Sequence, residues 1–292
     1  MEPIFDLDLA LARKLRALKS PQEGADFLMR RAAEDLSERL ATVERRFPRA
    51  ATIFCLTPHA ADAIAESGKS DHVLRIETDR QLLSGPYDGL VATAETIPLP
   101  PESLDLCVSL LTLYEANDLP GLLVQVRRAL KPDGLFLAAL AGAGTLQELR
   151  ESLLQAEAEL TGGATPRVSP FADVRDAGAL LQRAGFALPV ADIETVTVRY
   201  GTMFDLMRDL RAMGVTNTLV ERSRRPATRS LFLRAAEIYR ERFADPDGRV
   251  RATFNIVWLS GWAPHESQQK PLKPGSAKLS LKSVLSPEKK EE

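Results

Sequence analysis

Acidic side chains follow the ends of two predicted strands. Glu77 comes directly after the predicted strand Val73–Ile76, and Glu95 follows the predicted strand Tyr87–Ala92. In nucleotide-binding α/β folds, an acidic residue at the end of the second strand accepts hydrogen bonds from ribose hydroxyls. A carboxylate at this position can equally be a solvated strand end. The pattern is therefore compatible with a nucleoside site and with a purely structural terminus.

The loop after the first predicted strand contains no glycine. The strand Ala51–Leu56 continues into Thr57-Pro58-His59-Ala60. Glycine at this first strand-to-helix turn normally lets the backbone approach a ligand and frees amide donors at the helix start. Proline removes one such donor and fixes its own φ. We therefore expect any nucleotide-type ligand to be held here in an unusual way.

Other residue types capable of chemistry are few. The three histidines share no spacing that suits a zinc site or an iron site of two histidines and a carboxylate; they are His59, His72 and His265. Both cysteines, Cys55 and Cys107, lie in apolar strand patterns, so we expect buried thiols in a reducing compartment rather than a disulfide. The sequence predicts no metal site and identifies no catalytic residue.

The segment Pro101–Leu140 predicts the unit that positions these side chains. Leu104–Leu111 is an almost unbroken apolar run, as in a parallel strand covered on both faces. Asn117 and Asp118 can cap the leucine-rich helix that follows, and Lys131-Pro132-Asp133-Gly134 ends that helix before a second apolar strand. Such a strand–helix–strand unit predicts a doubly wound, mostly parallel α/β sheet with ligands near the carboxyl ends of its strands.

Periodicity extends this sheet to seven strands with flanking helices. Ser20-Pro21-Gln22-Glu23 matches a capping box, which predicts a long helix from there to about Phe47. The predicted strands are 51–56, 73–76, 87–92, 104–111, 135–140, 193–200 and 251–259. Further helices are predicted at 60–67, 117–130, 146–160, 171–185, 203–213 and 228–243. Strand 193–200 alternates apolar and polar residues, so we expect it near the sheet edge.

Two charged segments have more than one interpretation. The amphipathic helix predicted at 5–18 could be a lid, a membrane-surface anchor or an arm packed across the domain. Asp6 and Asp8 interrupt its basic face, which favours the packed arm. The arginine-rich stretch 222–229 could contact an acidic partner, although a solvated loop is the simpler interpretation.

Composition narrows the class of protein. The chain has 292 residues, of which 45% are hydrophobic and 27% charged, with a formal net charge of -2. These values are typical of a globular protein and give no electrostatic case for nucleic-acid binding. No apolar run reaches transmembrane length and no signal-peptide pattern is present, so we expect a cytoplasmic protein, at most peripheral at the inner membrane. We expect a helical arm at 1–47, a central domain at 48–263 with a helical insertion at about 202–245, and a polar tail at 264–292, mobile from about Ser283.

Seven strands, with two helices between the sixth and the seventh, resemble a class I S-adenosylmethionine-dependent methyltransferase, which has a Rossmann-like fold. The resemblance extends to segments throughout the chain: Phe5–Leu18, Ala116–Leu140, Gly144–Leu153, Ser169–Phe186, Thr202–Asn217 and Gly261–Ala277. These segments are similar to a subfamily that contains a respiratory complex I assembly factor acting as a protein-arginine hydroxylase. Malonyl-acyl-carrier-protein methyltransferases of the BioC type are its relatives.

The resemblance implies positions for cofactor and substrate. S-adenosylmethionine would contact Leu56, Thr57, Glu77, Thr93, Glu95, Ser109 and Leu110. The substrate would lie beside Tyr114, Gly144, Tyr200 and Met203. Four of these places depart from the family pattern: Phe54–Ala60 replaces Asp-Leu-Gly-Cys-Gly-x-Gly, Thr93 replaces an acidic residue, Tyr114-Glu115 replaces His-Trp, and Gly144 replaces Asp.

Three functions are compatible with this pattern. The resemblance implies a role in maturing a subunit of NADH:quinone oxidoreductase, respiratory complex I, with that subunit as the partner and one of its arginines as the modified residue. Methyl transfer depends mainly on proximity and alignment, so the lack of an acid–base pair does not exclude it. Side chains in place of the glycines favour instead a non-catalytic assembly chaperone that has lost its S-adenosylmethionine site. A small-molecule or acyl-carrier-protein methyltransferase of the BioC type is the third alternative.

Overall fold

The structure, a computed structural model, describes residues 2–269 and contains one seven-stranded mixed sheet. Its strands are β1 (Arg49–Ile53), β2 (His72–Glu77), β3 (Asp88–Val91), β4 (Leu104–Leu110), β5 (Leu130–Ala141), β6 (Ala187–Tyr200) and β7 (Val250–Trp262). Residues 270–292 of the predicted polar tail, including the segment expected to be mobile, lie outside the described residues.

The strand order is β3-β2-β1-β4-β5-β7-β6. The first five strands are parallel, whereas β7 runs antiparallel to both β5 and β6. This confirms the predicted doubly wound, mostly parallel sheet, and it confirms β6 as an edge strand. The order reverses between β1 and β4, so the loops at their carboxyl ends flank the place where such sheets bind ligands.

Eight helices are present among the described residues: α1 (Leu7–Lys19), α2 (Phe27–Thr42), α3 (His59–Glu66), α4 (Leu119–Ala129), α5 (Gln147–Thr161), α6 (Val174–Arg183), α7 (Met203–Ala212) and α8 (Arg229–Phe243). Apolar side chains of α2 and α3 cover one face of the sheet, and those of α4 and α6 cover the other. A third cluster joins α5, α7 and α8 to the ends of β6 and β7. Helices α7 and α8 form the predicted helical insertion before the last strand.

The central unit β4–α4–β5 has the predicted order. Leu106, Cys107 and Val108 are fully buried in β4. The Asp118 carboxylate caps α4 by accepting a hydrogen bond from the Gly121 amide at 2.9 Å. β5 begins at Leu130, directly after the helix, so the predicted turn at 131–134 is an irregularity inside the strand, where the register with β4 shifts.

Several element boundaries predicted from the sequence are wrong, and the strand predicted at 193–200 begins already at Ala187. The capping box at 20–23 does not begin a helix, because Gly24 has a left-handed φ of 75° and α2 starts only at Phe27 and ends at Thr42. β1 ends at Ile53, because Phe54 turns to a left-handed φ of 53°. α6 begins at Val174 rather than at 171, since Asp173 caps it by accepting from the Arg175 amide.

The N-terminal segment packs across the carboxyl edge of the sheet. The side-chain oxygen of Asn117 accepts hydrogen bonds from the amides of Ile4 and Phe5, each at 2.8 Å. The Asp6 amide donates to the carbonyl of Thr218 at 2.8 Å. α1 lies so close to Gly214 that a Cβ there would be 3.0 Å from the Lys14 Cα. The packed arm is thus the interpretation that the structure bears out.

Candidate functional site

A cavity of about 630 Å³ opens at the carboxyl edge of the sheet, beneath α1. Thr57 after β1 and Tyr114 after β4 form its floor, and Arg13 and Lys14 of α1 form part of its wall. Its inner part is mainly apolar and is lined from α5, α7 and β7 by Leu149, Leu153, Met207, Leu210 and Phe254. This size and character suit a small ligand or a few side chains of a bound peptide.

The loop after β1 has the backbone shape of a glycine turn without its glycines. Phe54 and Leu56 adopt left-handed φ values of 53° and 60°. A left-handed conformation costs a non-glycine residue roughly 1–2 kcal/mol, because Cβ approaches the following carbonyl oxygen. The Leu56 and Thr57 side chains both line the cavity. The backbone therefore adopts left-handed conformations that glycine takes up without strain, while side chains occupy space that glycine would leave free.

Glu77 at the end of β2 is paired inside the protein. Glu77 and Arg75 are each only 1% exposed, and their nearest oxygen and nitrogen lie 3.2 Å apart. Arg75 also donates to the carbonyls of Leu82, at 3.1 Å, and Ser84. Burial raises the pKa of the Glu77 carboxyl to about 7, although Arg75 acts in the opposite direction. Glu77 is thus enclosed, and it does not line the cavity.

The remaining residues assigned to the cofactor make contacts within the protein. The Ser109 hydroxyl donates to the Ile53 carbonyl at 2.9 Å, and the Leu110 amide donates to the Cys55 sulfur at 3.3 Å. Glu95 accepts from the Asp118 amide at 2.7 Å, and the hydroxyls of Thr93 and Thr96 are 2.9 Å apart. Among the seven, Leu56 and Thr57 alone reach the cavity wall. Their assignment as ligand-binding residues stays a prediction.

Both cysteines are free and buried, as predicted. Burial raises the pKa of the Cys55 thiol to about 12, so this group is a neutral thiol at ordinary pH.

The substrate-side residues divide into two groups. The Tyr114 ring lies at the cavity, 5.4 Å from the Phe171 ring in an edge-on arrangement. Removal from water and the Glu115 carboxylate raise the pKa of the Tyr114 hydroxyl well above its usual value. Gly144 sits where a Cβ would be 2.5 Å from the Asn255 side-chain nitrogen. Tyr200 and Met203 are buried in the α5–α7–α8 cluster, outside the cavity lining.

Sequence reasoning missed the charged groups that shape this site. Lys14 of α1 donates to the carboxylate of Glu115, and these side chains are 13% and 5% exposed. These residues are far apart in the chain, so no local pattern signals their contact. The pairing of Arg75 with Glu77 could have been predicted from the sequence. Side chains two residues apart in a strand lie on the same face of the sheet, and these two residues have opposite charges. No group of three or more potential metal-ligating side chains lies together within residues 2–269.

Comparison with known proteins gives relatives that match most of the chain. The Methyltransferase domain family matches residues 42–138. The mitochondrial arginine hydroxylase NDUFAF5 of Danio rerio is 39% identical over 264 residues, which is 88% of this chain and 81% of the relative. The chain belongs to the NDUFAF5 arginine-hydroxylase family.

Two more distant matches, one in sequence and one in structure, indicate the same fold. A malonyl-[acyl-carrier protein] O-methyltransferase of Laribacter hongkongensis is 34% identical over 73% of this chain and 71% of the relative. A crystal structure of a candidate methyltransferase from Bacillus halodurans has a TM-score of 0.55 at 14% identity, over 79% of this chain and 98% of the other. The fold is therefore that of class I methyltransferases, as the sequence resemblance implied.

The cofactor of that fold, S-adenosylmethionine, can be tested against these residues. In favour, the buried Glu77 Oε2 and Thr57 Oγ1 have no hydrogen-bond partner among the described residues, as hydroxyl-binding atoms would. Against it, Glu77 is enclosed with Arg75, and the side chains of Leu56 and Pro58 stand where glycines would admit the ligand. Because the carboxylate is closed off and the turn is filled, the residues do not fit the usual mode of holding this cofactor.

Proposed function

We propose that this chain is an assembly factor for respiratory complex I that binds an arginine-bearing segment of one complex I subunit in the cavity beneath α1. The family membership supports the assembly role, since two of the relatives named arginine hydroxylase match 88% and 95% of this chain over 81% and 82% of their own length. One observation carries the binding role: the cavity on the α1 and α7 side is open, whereas the family's nucleoside side is closed by Arg75.

The proposed location follows from the same role. No helix within residues 2–269 is long and apolar enough to cross a membrane. The NDUFAF5 relatives are named mitochondrial proteins. We place this chain where complex I subunits are made and assembled, in the cytoplasm or peripherally at the inner membrane, without contact to nucleic acid.

Filling the cavity with a larger side chain tests the binding role. Ala25 is half-buried and lines the cavity, whereas Ala12 is exposed on α1 and does not line it. We expect Ala25→Trp to fail to restore complex I in a deletion strain, and Ala12→Trp to restore it, as judged by native gel and NADH:quinone oxidoreductase activity. Thermal unfolding of both purified variants checks that they fold. Full restoration by a folded Ala25→Trp variant would contradict the proposal.

A second candidate function is enzymatic modification of the bound arginine. The unpartnered buried oxygens of Glu77 and Thr57, at the carboxyl ends of neighbouring strands, favour a hydroxyl-bearing ligand. Mass spectrometry of complex I subunits from wild-type and deletion strains separates the two functions. An arginine that is lighter by one oxygen atom in the deletion strain indicates that this protein supports hydroxylation. An arginine lighter by one methylene group indicates methylation. If complex I fails to assemble in the deletion strain while the masses of its arginines are unchanged, only the binding role is supported. Calorimetry with S-adenosylmethionine and S-adenosylhomocysteine completes the test, since we expect no binding at millimolar ligand.

A further inference from the structure

One cation in the cavity wall, Lys14, covers a buried carboxylate, Glu115. Glu115 follows β4 directly after Tyr114, and the ammonium group of Lys14 lies in contact with its Oε2. Glu115 is 4% exposed as a whole residue and lies behind Lys14, outside the cavity lining; its other side-chain partners among the described residues are the Thr218 hydroxyl, at 3.5 Å, and the Tyr114 hydroxyl. A carboxylate this deeply buried, with only neutral hydroxyl donors besides Lys14, needs a positive charge beside it.

The acidic side chains that line the cavity itself, Glu23 and Asp26, are less suited to bind a cation from a ligand. Glu23 lies on the exposed rim. Asp26 is paired with Arg30 at 2.9 Å and is 2.7 Å from the His59 ring, and the first of these contacts chiefly lowers its pKa. Glu115 is thus the enclosed carboxylate that a cation entering this cavity would meet, once Lys14 gives way.

The surroundings of Glu115 suit a guanidinium group better than an ammonium group. A guanidinium donates two parallel hydrogen bonds to one carboxylate and stacks on aromatic rings, whereas an ammonium is a point charge on a flexible stem. The Tyr114 and Phe171 rings, 5.4 Å apart, line the cavity next to Glu115. A planar cation held by Glu115 would lie against this aromatic pair.

We infer that Glu115 is the subsite for the guanidinium of the bound arginine, and that Lys14 occupies it in the absence of a client. The inference rests on the proposed function for the identity of the client. The exchange requires only the Lys14 side chain to swing away, because Asn117 and Thr218 hold the backbone of residues 4–6 independently. Glu115 therefore selects arginine, and Lys14 competes with it.

Chemical rescue tests this subsite without a client. Lys14→Ala removes the competing ammonium, and ethylguanidinium is small enough to take its place. At 10 mM, ethylguanidinium should raise the Tm of Lys14→Ala by about 3 °C, if the dissociation constant is about 1 mM. Neutral ethylurea at the same concentration should raise it by less than about 1 °C. The wild type, with its subsite filled, should show no rise.

Two further variants make the result specific. Lys14→Ala/Glu115→Gln should lose the ethylguanidinium effect, whereas Arg16→Ala, which removes an exposed cation from the same helix, should behave as the wild type. If Lys14→Ala does not fold, saturation-transfer NMR of ethylguanidinium on Lys14→Gln and Lys14→Gln/Glu115→Gln gives the same comparison. An equal Tm rise in all variants, or none in Lys14→Ala, overturns the inference.

Failure here is distinguishable from failure of the proposed function. If filling the cavity abolishes complex I assembly but ethylguanidinium does not stabilise Lys14→Ala, the Glu115 subsite is wrong and the client-binding role stands. Normal complex I in the deletion strain removes the assembly role, whatever ethylguanidinium does.

Discussion

Two neighbouring regions at the carboxyl edge of the sheet differ in this protein: one is closed by side chains and the other is an open cavity. At the ends of β1 and β2, Arg75 encloses Glu77, and Leu56 and Pro58 stand in the turn where the family has glycines. Next to it, the residues after β1 and β4, together with α1 and α7, surround a cavity of about 630 Å³. If the proposed function is correct, the difference teaches that a fold can keep a surface for a client while it closes the surface that would hold a cofactor.

The largest expected effect comes from opening the closed region. Arg75→Leu leaves the Glu77 carboxylate buried without a partner, so the free energy of unfolding should fall by about 3–5 kcal/mol. Urea denaturation measures the loss. The double variant Arg75→Leu/Glu77→Leu removes both charges and should recover most of it. If the unfolding free energy of Arg75→Leu lies within about 1 kcal/mol of the wild-type value, the ion pair does not stabilise this closed region.

The next effect concerns the wall of the open cavity. Asn117→Ala removes three hydrogen bonds to the backbone of Ile4 and Phe5, which should weaken docking of the arm by about 1.5–3 kcal/mol. Limited proteolysis within α1 should then be at least about tenfold faster. Asp118→Ala, which affects the cap of α4 instead, is the neighbouring control. Unchanged cleavage of Asn117→Ala would mean that the arm is held by other contacts.

A pH effect distinguishes the two regions more finely. The folded-state pKa of Glu77, about 7, lies above the unfolded value of 4.5, so the folded state binds the proton more tightly. The unfolding free energy should therefore fall as pH rises from 6 to 8, by about 1 kcal/mol at this residue. Glu77→Gln should remove that portion of the pH dependence, as measured by urea denaturation at both pH values. Identical profiles for wild type and Glu77→Gln would contradict the raised pKa.

The smallest effect tests the glycine-like turn. Leu56→Gly relieves a left-handed φ of 60° but loses the packing of a half-buried side chain, so the net change in stability should stay within about 1 kcal/mol. Calorimetry should still detect no S-adenosylmethionine binding, because Pro58 and Arg75 remain. Binding restored by this one change would place the block at Leu56 alone. Ala60→Gly, at another family glycine position, is the matched control.

Local patterns were sufficient for most of the fold. The apolar run of β4, the Asp118 cap and the order of elements predict the doubly wound sheet correctly, because each depends on neighbours in sequence. The capping box at 20–23 failed because Gly24 and the contacts of Asp26 with Arg30 and His59 favour an irregular segment there. Tertiary contacts overrode a local preference.

The candidate site was harder to predict than the fold. Leu56 and Thr57 reach the cavity because they follow a central strand, a position that the sequence indicates. The pairing of Lys14 with Glu115 spans 101 residues, and nothing in either segment specifies it. The left-handed φ of Leu56 has no sequence signal either, because glycine is the residue that such a turn normally shows.

The docked N-terminal arm has a consequence for biosynthesis. Arg13 donates to the Asn217 carbonyl and Asp6 pairs with Arg222, contacts that span 204 and 216 residues. A ribosome adds about 5–20 residues per second, so the arm leaves the exit tunnel roughly 10–40 s before its partners exist. During that interval the arm can contact Asn117 and Glu115 but lacks its partners beside α7, so one wall of the cavity is missing. Newly made protein thus acquires the complete cavity only after β7, which contributes Phe254, has been translated.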